Sequence, residues 1–183
     1  FVLSFLLIIV GFVIRRKVSE SPVFTELKEK KEETSAPLAQ LVRRHWRHVL
    51  LCSLIFMGNG VGGYLLVGGY LTSYSTSILG MDQDPVLFAV LVGSIGWFVF
   101  TWIAGTLSDR IGRVRTYQIG FVIQLAIAFP LFALINTASF PFLILAVILL
   151  SVGQGLTYGP QAALFCELFP ARVRYSGASI SYG

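Results

Sequence analysis

Most of this chain carries no charge, and that constrains its fold more than any other feature. No Asp, Glu, Lys or Arg occurs from His48 to Met81, from Pro85 to Ser108, or from Thr116 to Cys166. A helix crosses the ~30 Å hydrocarbon core of a bilayer with about 20 apolar residues. Inside that core only helices and closed barrels satisfy every backbone N–H and C=O. The first two charge-free stretches each hold one crossing. The third is longer, is broken by "NTASFP" from Asn136 to Pro141, and holds two. Spans are therefore expected over about 49–79, 87–107, 114–135 and 142–164, and the fold class is all-α, a polytopic membrane helical bundle. Charged residues make up 13% of the chain, against about 25% in soluble domains.

The chain opens on "FVLSFLLIIVGFVI", residues 1–14, too short to span and followed rather than preceded by Arg15, Arg16 and Lys17. It lacks the leading basic region of a signal peptide, and reads as the end of a helix descending to the cytoplasm. "SGASISYG" at the other end reads as the first turns of a further helix, so the chain is expected to be a piece of a larger protein. Residues 15–48 form a polar linker. Within it Ser21 caps a short helix, and Pro37 opens an interfacial helix in which Trp46, His45 and His48 anchor the headgroup region. Residues 49–183 form the bundle portion.

Charge sets the orientation. Nine of the 14 basic residues lie between Arg15 and Arg47, three are Arg110, Arg113 and Arg115, and two are Arg172 and Arg174. The turns around Asp82 and Asn136 have none. Basic loops stay cytoplasmic, which places residues 15–48, 108–115 and 166–176 on the inner side of a plasma membrane. The net charge of +5 then belongs to topology and to contact with membrane lipid, not to nucleic-acid binding. Cys52 and Cys166 fall near cytoplasmic helix ends, where thiols stay reduced, and both are read as inert packing.

Polar residues within spans need partners that lipid does not offer. In the first span Asn59, Gly63, Leu66, Tyr70 and Tyr74 share one helical stripe, with glycines that permit a close neighbour or a bend. Asn59 and Tyr70 are candidate cavity residues, with packing and interfacial anchoring as the other reading. Trp97 in the second span, beside Ser94 and Thr101, fits cavity lining and core packing equally. The third span, with only Gln124 and Pro130 as punctuation, reads as scaffold. In the fourth, Gln154, Tyr158 and Gln161 form a polar stripe beside Gly155, Gly159 and Pro160; Gln154 and Tyr158 are cavity candidates.

"GTLSDRIGRVR", Gly105 to Arg115, is the one dense cluster of charge between spans. Gly105 allows close helix approach and Gly112 a sharp reversal, while Asp109 sits beside Arg110, Arg113 and Arg115. A carboxylate there is stabilised by pairing with Arg or by capping a helix N-terminus. Such a contact is made in one conformation and broken in another, which suits a latch. The stretch resembles the signature loop of the major facilitator superfamily, G-x-L-[AS]-D-[RK]-x-G-[RK]-[RK], matching at Gly105, Asp109, Arg110, Gly112 and Arg113 and departing at Val114. "RRKVSESPVF" and "YGPQAALFCELFPARVRYSGASISYG" resemble the exit from the sixth helix and the tenth-to-eleventh helix passage of its metabolite:proton symporter branch, the carriers of shikimate, alpha-ketoglutarate, citrate, and proline or betaine.

The resemblance covers essentially the whole chain, and implies part of a C-terminal six-helix half running from late helix six to early helix eleven. It implies that Glu167 pairs with a nearby Arg, or with the basic residues of the Asp109 loop, and joins Arg172 and Arg174 in a cytoplasmic gate. It further implies a secondary active transporter in a bacterial inner membrane, moving a small polar metabolite, an organic acid or a zwitterion, together with protons by alternating access. The partners are then the small-molecule substrate, the proton, and an N-terminal half not contained in this sequence. No P-loop or hydrolase pattern is present, so no enzyme, cofactor or metal site is implied. The four spans hold no ionisable acid, Lys or Arg, so a proton-carrying charge is expected outside them. A non-transporting sensor on the same scaffold and an uncoupled facilitator remain alternatives.

Overall fold

The computed structural model describes residues 10–12, 14, 43–170 and 173–182. Six α-helices and one π-helical turn follow from residue 46: α1 (Trp46–Val67), α2 (Tyr70–Ser73), the π-helical turn (Tyr74–Ile78), α3 (Gln83–Ile111), α4 (Arg113–Ile135), α5 (Phe140–Leu168) and α6 (Arg174–Tyr182). Most of the expected 15–48 linker, with its short helix and the start of its interfacial helix, lies outside the described residues. So does most of the expected helix end at 1–14.

Four helices are long and apolar enough to cross a membrane: α1, α3, α4 and α5. Their lengths run from 22 to 29 residues, about 33 to 44 Å at ~1.5 Å per residue. The longer pair, α3 and α5, exceeds the hydrocarbon thickness and must tilt or project into the headgroups. Phe98, Trp102, Leu125 and Phe129 are 70–84% exposed, which water would penalise and lipid does not. The protein is a multi-pass integral membrane protein.

α5 is the central helix. Half of its apolar window is buried, against 17–22% in the other three spans. It lies between α3 and α4, while α1 packs on α5 and α6. Two apolar clusters result. One, at the end carrying the α4–α5 loop, gathers Leu66, Leu71, Val86, Leu131, Leu143 and Val147. The other, at the end carrying the α3–α4 turn, gathers Cys52, Tyr117, Leu164, Phe165, Phe169 and Val173. Cys52 is packed there as expected; Cys166 instead is exposed, because it lies on the side of α5 turned away from the cluster.

The first expected span is not one helix. α1 ends at Val67, and Gly69 takes φ +93° before α2 begins. That left-handed conformation costs a residue with a Cβ about 1–2 kcal/mol. The helix then loosens into the π-helical turn, where the Thr76 hydroxyl bonds back to the Thr72 carbonyl at 2.8 Å. At the opposite end of the bundle a single residue, Gly112 (φ +95°, ψ 144°), joins α3 to α4. Its N–H donates to the Ser108 carbonyl at 3.0 Å and its carbonyl accepts from Thr116 N–H at 3.1 Å, so the reversal leaves neither group open.

Candidate functional site

Between the two apolar clusters lies a layer of amides and hydroxyls. Asn59, near the middle of α1, donates from Nδ2 to Gln161 Oε1 at 2.5 Å and accepts from Thr157 Oγ1 at 2.7 Å. Its backbone carbonyl accepts from Gln154 Nε2 at 2.9 Å. Gln154 Oε1 accepts from Gln124 Nε2 of α4 at 2.9 Å, and Gln161 Oε1 accepts a second bond from the Tyr117 hydroxyl at 3.0 Å. Asn59, Gln154, Thr157 and Gln161 are at most 1% exposed. The layer thus joins α1, α4 and α5 with neutral groups alone.

Space for these amides comes from small residues opposite them. A Cβ at Gly62 would collide with the Gln154 amide. Interhelical hydrogen bonds of this kind contribute about 0.6 kcal/mol each on average, up to about 1.7. One group stays open: Gln161 Nε2 is buried without a partner among the described residues.

Trp97 and Tyr158 form a second polar locus, beside the amide layer at the edge of α5 that α3 borders. Their rings stand 5.4 Å apart at 80°, and with Ser94, Phe98 and Thr101 they line an open recess of about 270 Å³. α3 and α5 meet closely at its floor: a Cβ at Gly159 would lie 2.7 Å from the Thr101 carbonyl oxygen, and one at Gly155 within 2.4 Å of Phe100 Cβ. The close approach expected of Gly105 is therefore made by the glycines of α5, since a Cβ at Gly105 would meet nothing within 4 Å.

The stripe read as Gln154, Tyr158 and Gln161 divides between these two loci. Gln154 and Gln161 turn toward α1 and α4, while Tyr158 is 46% exposed. A four-residue step advances about 40° around a helix, enough to carry Tyr158 past the edge that α1 covers. Tyr70 joins neither locus. It stacks on Tyr74 at 5.9 Å, both rings edge onto Phe132, and the Tyr74 hydroxyl donates to Asn136 Oδ1 at 2.8 Å. The break at Gly69 shifts the helical phase, so Tyr70 and Tyr74 leave the face that carries Asn59.

α4, expected as scaffold, contributes Gln124 and Tyr117 to this layer. Their seven-residue spacing places them on one face, a signal the sequence carried. Thr157 was also passed over, although it stands three residues after Gln154 and four before Gln161.

At the α3–α4 turn, Arg113 Nε lies 2.7 Å from Glu167 Oε1, and Arg113 Nη2 lies 3.8 Å from Asp109 Oδ1. Asp109 and Glu167 are mostly exposed, and Arg113 is about one-third exposed. Arg113 thereby ties the turn to the end of α5. Asp109 pairs within its own turn, at i and i+4, and the inter-element contact is made by Glu167. Exposed pairs contribute about 0–1 kcal/mol. Arg174 donates from Nε to the Phe169 carbonyl at 3.4 Å, Arg110 is exposed, and Arg172 lies outside the described residues.

A sequence model described as Major Facilitator Superfamily matches residues 1–182. Among relatives, the inner membrane metabolite transport protein YhjE of Escherichia coli (strain K12) is 36% identical over 190 residues, covering 100% of this chain and 42% of the relative. The glycine betaine/proline/ectoine/pipecolic acid transporter OusA of Dickeya dadantii (strain 3937) is 27% identical over 191 residues, covering 100% of the chain and 38% of the relative. The proline/betaine transporter of Salmonella typhimurium (strain LT2) is 26% identical, covering 95% and 36% respectively. The chain thus spans about two-fifths of the length of the relatives it matches. No solved structure matches it.

Proposed function

The chain belongs to the Major Facilitator Superfamily, and from that membership we propose that it forms part of the C-terminal half of a secondary active transporter in a bacterial inner membrane. The solute is a small polar metabolite, an organic acid or a zwitterion such as those named for its relatives, carried with protons. Helices rock about a mid-membrane site, giving alternating access. The observation that carries this reading is the buried polar layer of Asn59, Gln124, Gln154, Thr157 and Gln161, set at mid-depth between two apolar clusters. Lipid offers no partner to such groups, so they hold to one another and keep the three helices together.

In this reading the layer fixes α1, α4 and α5 as one rigid wall of the solute pathway, and the rings at Trp97 and Tyr158 face the pathway itself. Arg113, Glu167 and Asp109 hold the cytoplasmic side closed in one state and separate in the other, with Gly105, Arg110, Gly112, Arg172 and Arg174 completing the gate. In this reading the proton carrier lies outside the apolar cores 49–79, 87–107, 114–135 and 142–164, which hold no acid. Full-length protein in proteoliposomes, offered labelled organic acids and betaines with and without an inward pH gradient, tests the proposal. Accumulation that a proton uncoupler abolishes is the expected result. Downhill flux indifferent to the uncoupler would make it a facilitator, and binding without flux a sensor.

A further inference from the structure

Residues 70–79 are bounded by two glycines in the left-handed region, Gly69 at φ +93° and Gly80 at φ +69°. A Cβ at either would meet nothing within 4 Å. The backbone conformation, not crowding, therefore selects glycine at both, and each is a point about which the chain turns freely. Between them α2 and the π-helical turn form a short strap, at the end of the bundle opposite the α3–α4 turn. Its hold on α4 and the loop that follows is slight. The Tyr70 and Tyr74 rings stand edge-on to Phe132, and one exposed hydrogen bond runs from the Tyr74 hydroxyl to Asn136 Oδ1 at 2.8 Å.

One hydroxyl in the strap breaks the rule that the rest of the bundle follows. The buried hydroxyls of Ser108, Thr116, Ser151, Thr157 and Ser181 each donate to a carbonyl three or four residues back. Ser75 is wholly buried, yet its Oγ has no partner among the described residues. It lies in the π-helical turn, where Leu79 N–H donates to the Tyr74 carbonyl and Met81 N–H to the Ser75 carbonyl. Neighbouring Thr76 takes the Thr72 carbonyl, so the turn serves one hydroxyl and strands the other. A stranded buried hydroxyl is destabilising, and single π turns within helices are rare and recur at functional sites. In an α-helical register both hydroxyls would have a carbonyl four residues back, Leu71 for Ser75 and Thr72 for Thr76.

We infer that the strap has two registers: the π-helical one, clasped by Tyr74 to Asn136, and an α-helical one in which Ser75 Oγ bonds the Leu71 carbonyl and the clasp is undone. A one-residue change of register turns one flank of the strap by about 100° against the other. The Tyr74–Asn136 bond and the Met81–Ser75 backbone bond do not both survive that rotation, and Gly80 absorbs the residue released. Each register holds one hydrogen bond that the other lacks, so a modest difference in what binds each state moves the strap between them. On the transporter reading the strap closes the side of the membrane opposite the Arg113 ion pairs; its use rests on that reading, and the existence of two registers does not.

The test is made on full-length protein spin-labelled at Ser77→Cys and Thr137→Cys, both exposed positions, with every other exposed cysteine replaced by serine. The distances between the labels should fall into two populations, one for the clasped register and one for the released. Tyr74→Phe keeps the ring on Phe132 and removes the clasp, and should raise the ratio of released to clasped about fivefold, the weight of one ordinary hydrogen bond. Ser75→Ala removes the stranded hydroxyl and should lower that ratio by a similar factor. Two merely destabilising substitutions would not act in opposite directions. Asn136→Ala undoes the clasp from the other side and must act as Tyr74→Phe does, which keeps the test decisive if one variant folds poorly. Distances that neither Tyr74→Phe nor Ser75→Ala moves, or that both move the same way, would overturn the two registers. Uptake in proteoliposomes is read separately. Solute accumulated by a protein whose strap shows one fixed distance would remove the switch and leave the transporter standing. A strap that responds to both variants in a protein that carries nothing would do the reverse.

Discussion

Asn59 engages three neighbours at once. Its amide nitrogen donates to Gln161, its amide oxygen accepts from Thr157, and its carbonyl accepts from Gln154. Asn59→Leu keeps the backbone contact and deletes both side-chain contacts, stranding Gln161 Oε1 on the Tyr117 hydroxyl alone. The expected cost is about 1–3 kcal/mol, read as a lower unfolding midpoint of the full-length protein in detergent; an unchanged midpoint would show the amide to be dispensable for packing. Gln124→Leu removes the α4 contribution and should cost less, about 0.6–1.7 kcal/mol. Since Gln124 bonds only within the layer, it should lower the midpoint while leaving the half-saturating solute concentration in place. A rise in that concentration would place Gln124 at the solute instead.

Between helices, glycine decides where the chain breaks and where it closes up. Gly112→Val forces a β-branched residue into φ +95°, ψ 144°, at a cost of about 1–3 kcal/mol, and should reduce the yield of folded protein in the membrane; wild-type yield would mean that the turn relaxes freely. Gly159→Leu should do more harm, because the contact it meets is backbone, the Thr101 carbonyl. The sequence made the reversal at Gly112 legible: a glycine flanked by charge between two apolar runs has few other uses. The four spans were equally plain, since absence of charge over such lengths admits little else. The break at Gly69 was less so, because "GNGVGGYLLVGGY" offers several glycines and periodicity does not say which takes a positive φ. Stripes located the polar face of α5 and the importance of Asn59 and Gln154. They left open which helix would face them, so the pairing with Gln124 and Tyr117, and the separation of Tyr158 from Gln154, emerged only from packing.

Taken whole, the described residues combine a hydrogen-bonded interior with an exposed ion-pair fastening between the α3–α4 turn and the end of α5. The fastening is Arg113 between Asp109 and Glu167, solvent-accessible and worth about 1 kcal/mol at most, a factor of about five in population. Cys166, exposed and next to Glu167, is a native reporter of it. Arg113→Gln should raise the rate at which a membrane-impermeant maleimide labels Cys166 in inside-out vesicles by up to about fivefold. Asp109→Asn, which loses the longer contact, should raise it less. High salt should mimic both in the wild type, because exposed pairs are screened over about 10 Å at 0.1 M. Labelling indifferent to all three would end the latch. The central position of α5 also bears on biogenesis. It is the last of the four spans to leave the ribosome, yet it supplies Gln154, Thr157 and Gln161. The bonds that Asn59 and Gln124 make in the finished layer therefore form only after residue 161 has been synthesised, so this layer is a late step of assembly and closes the first three spans onto the fourth.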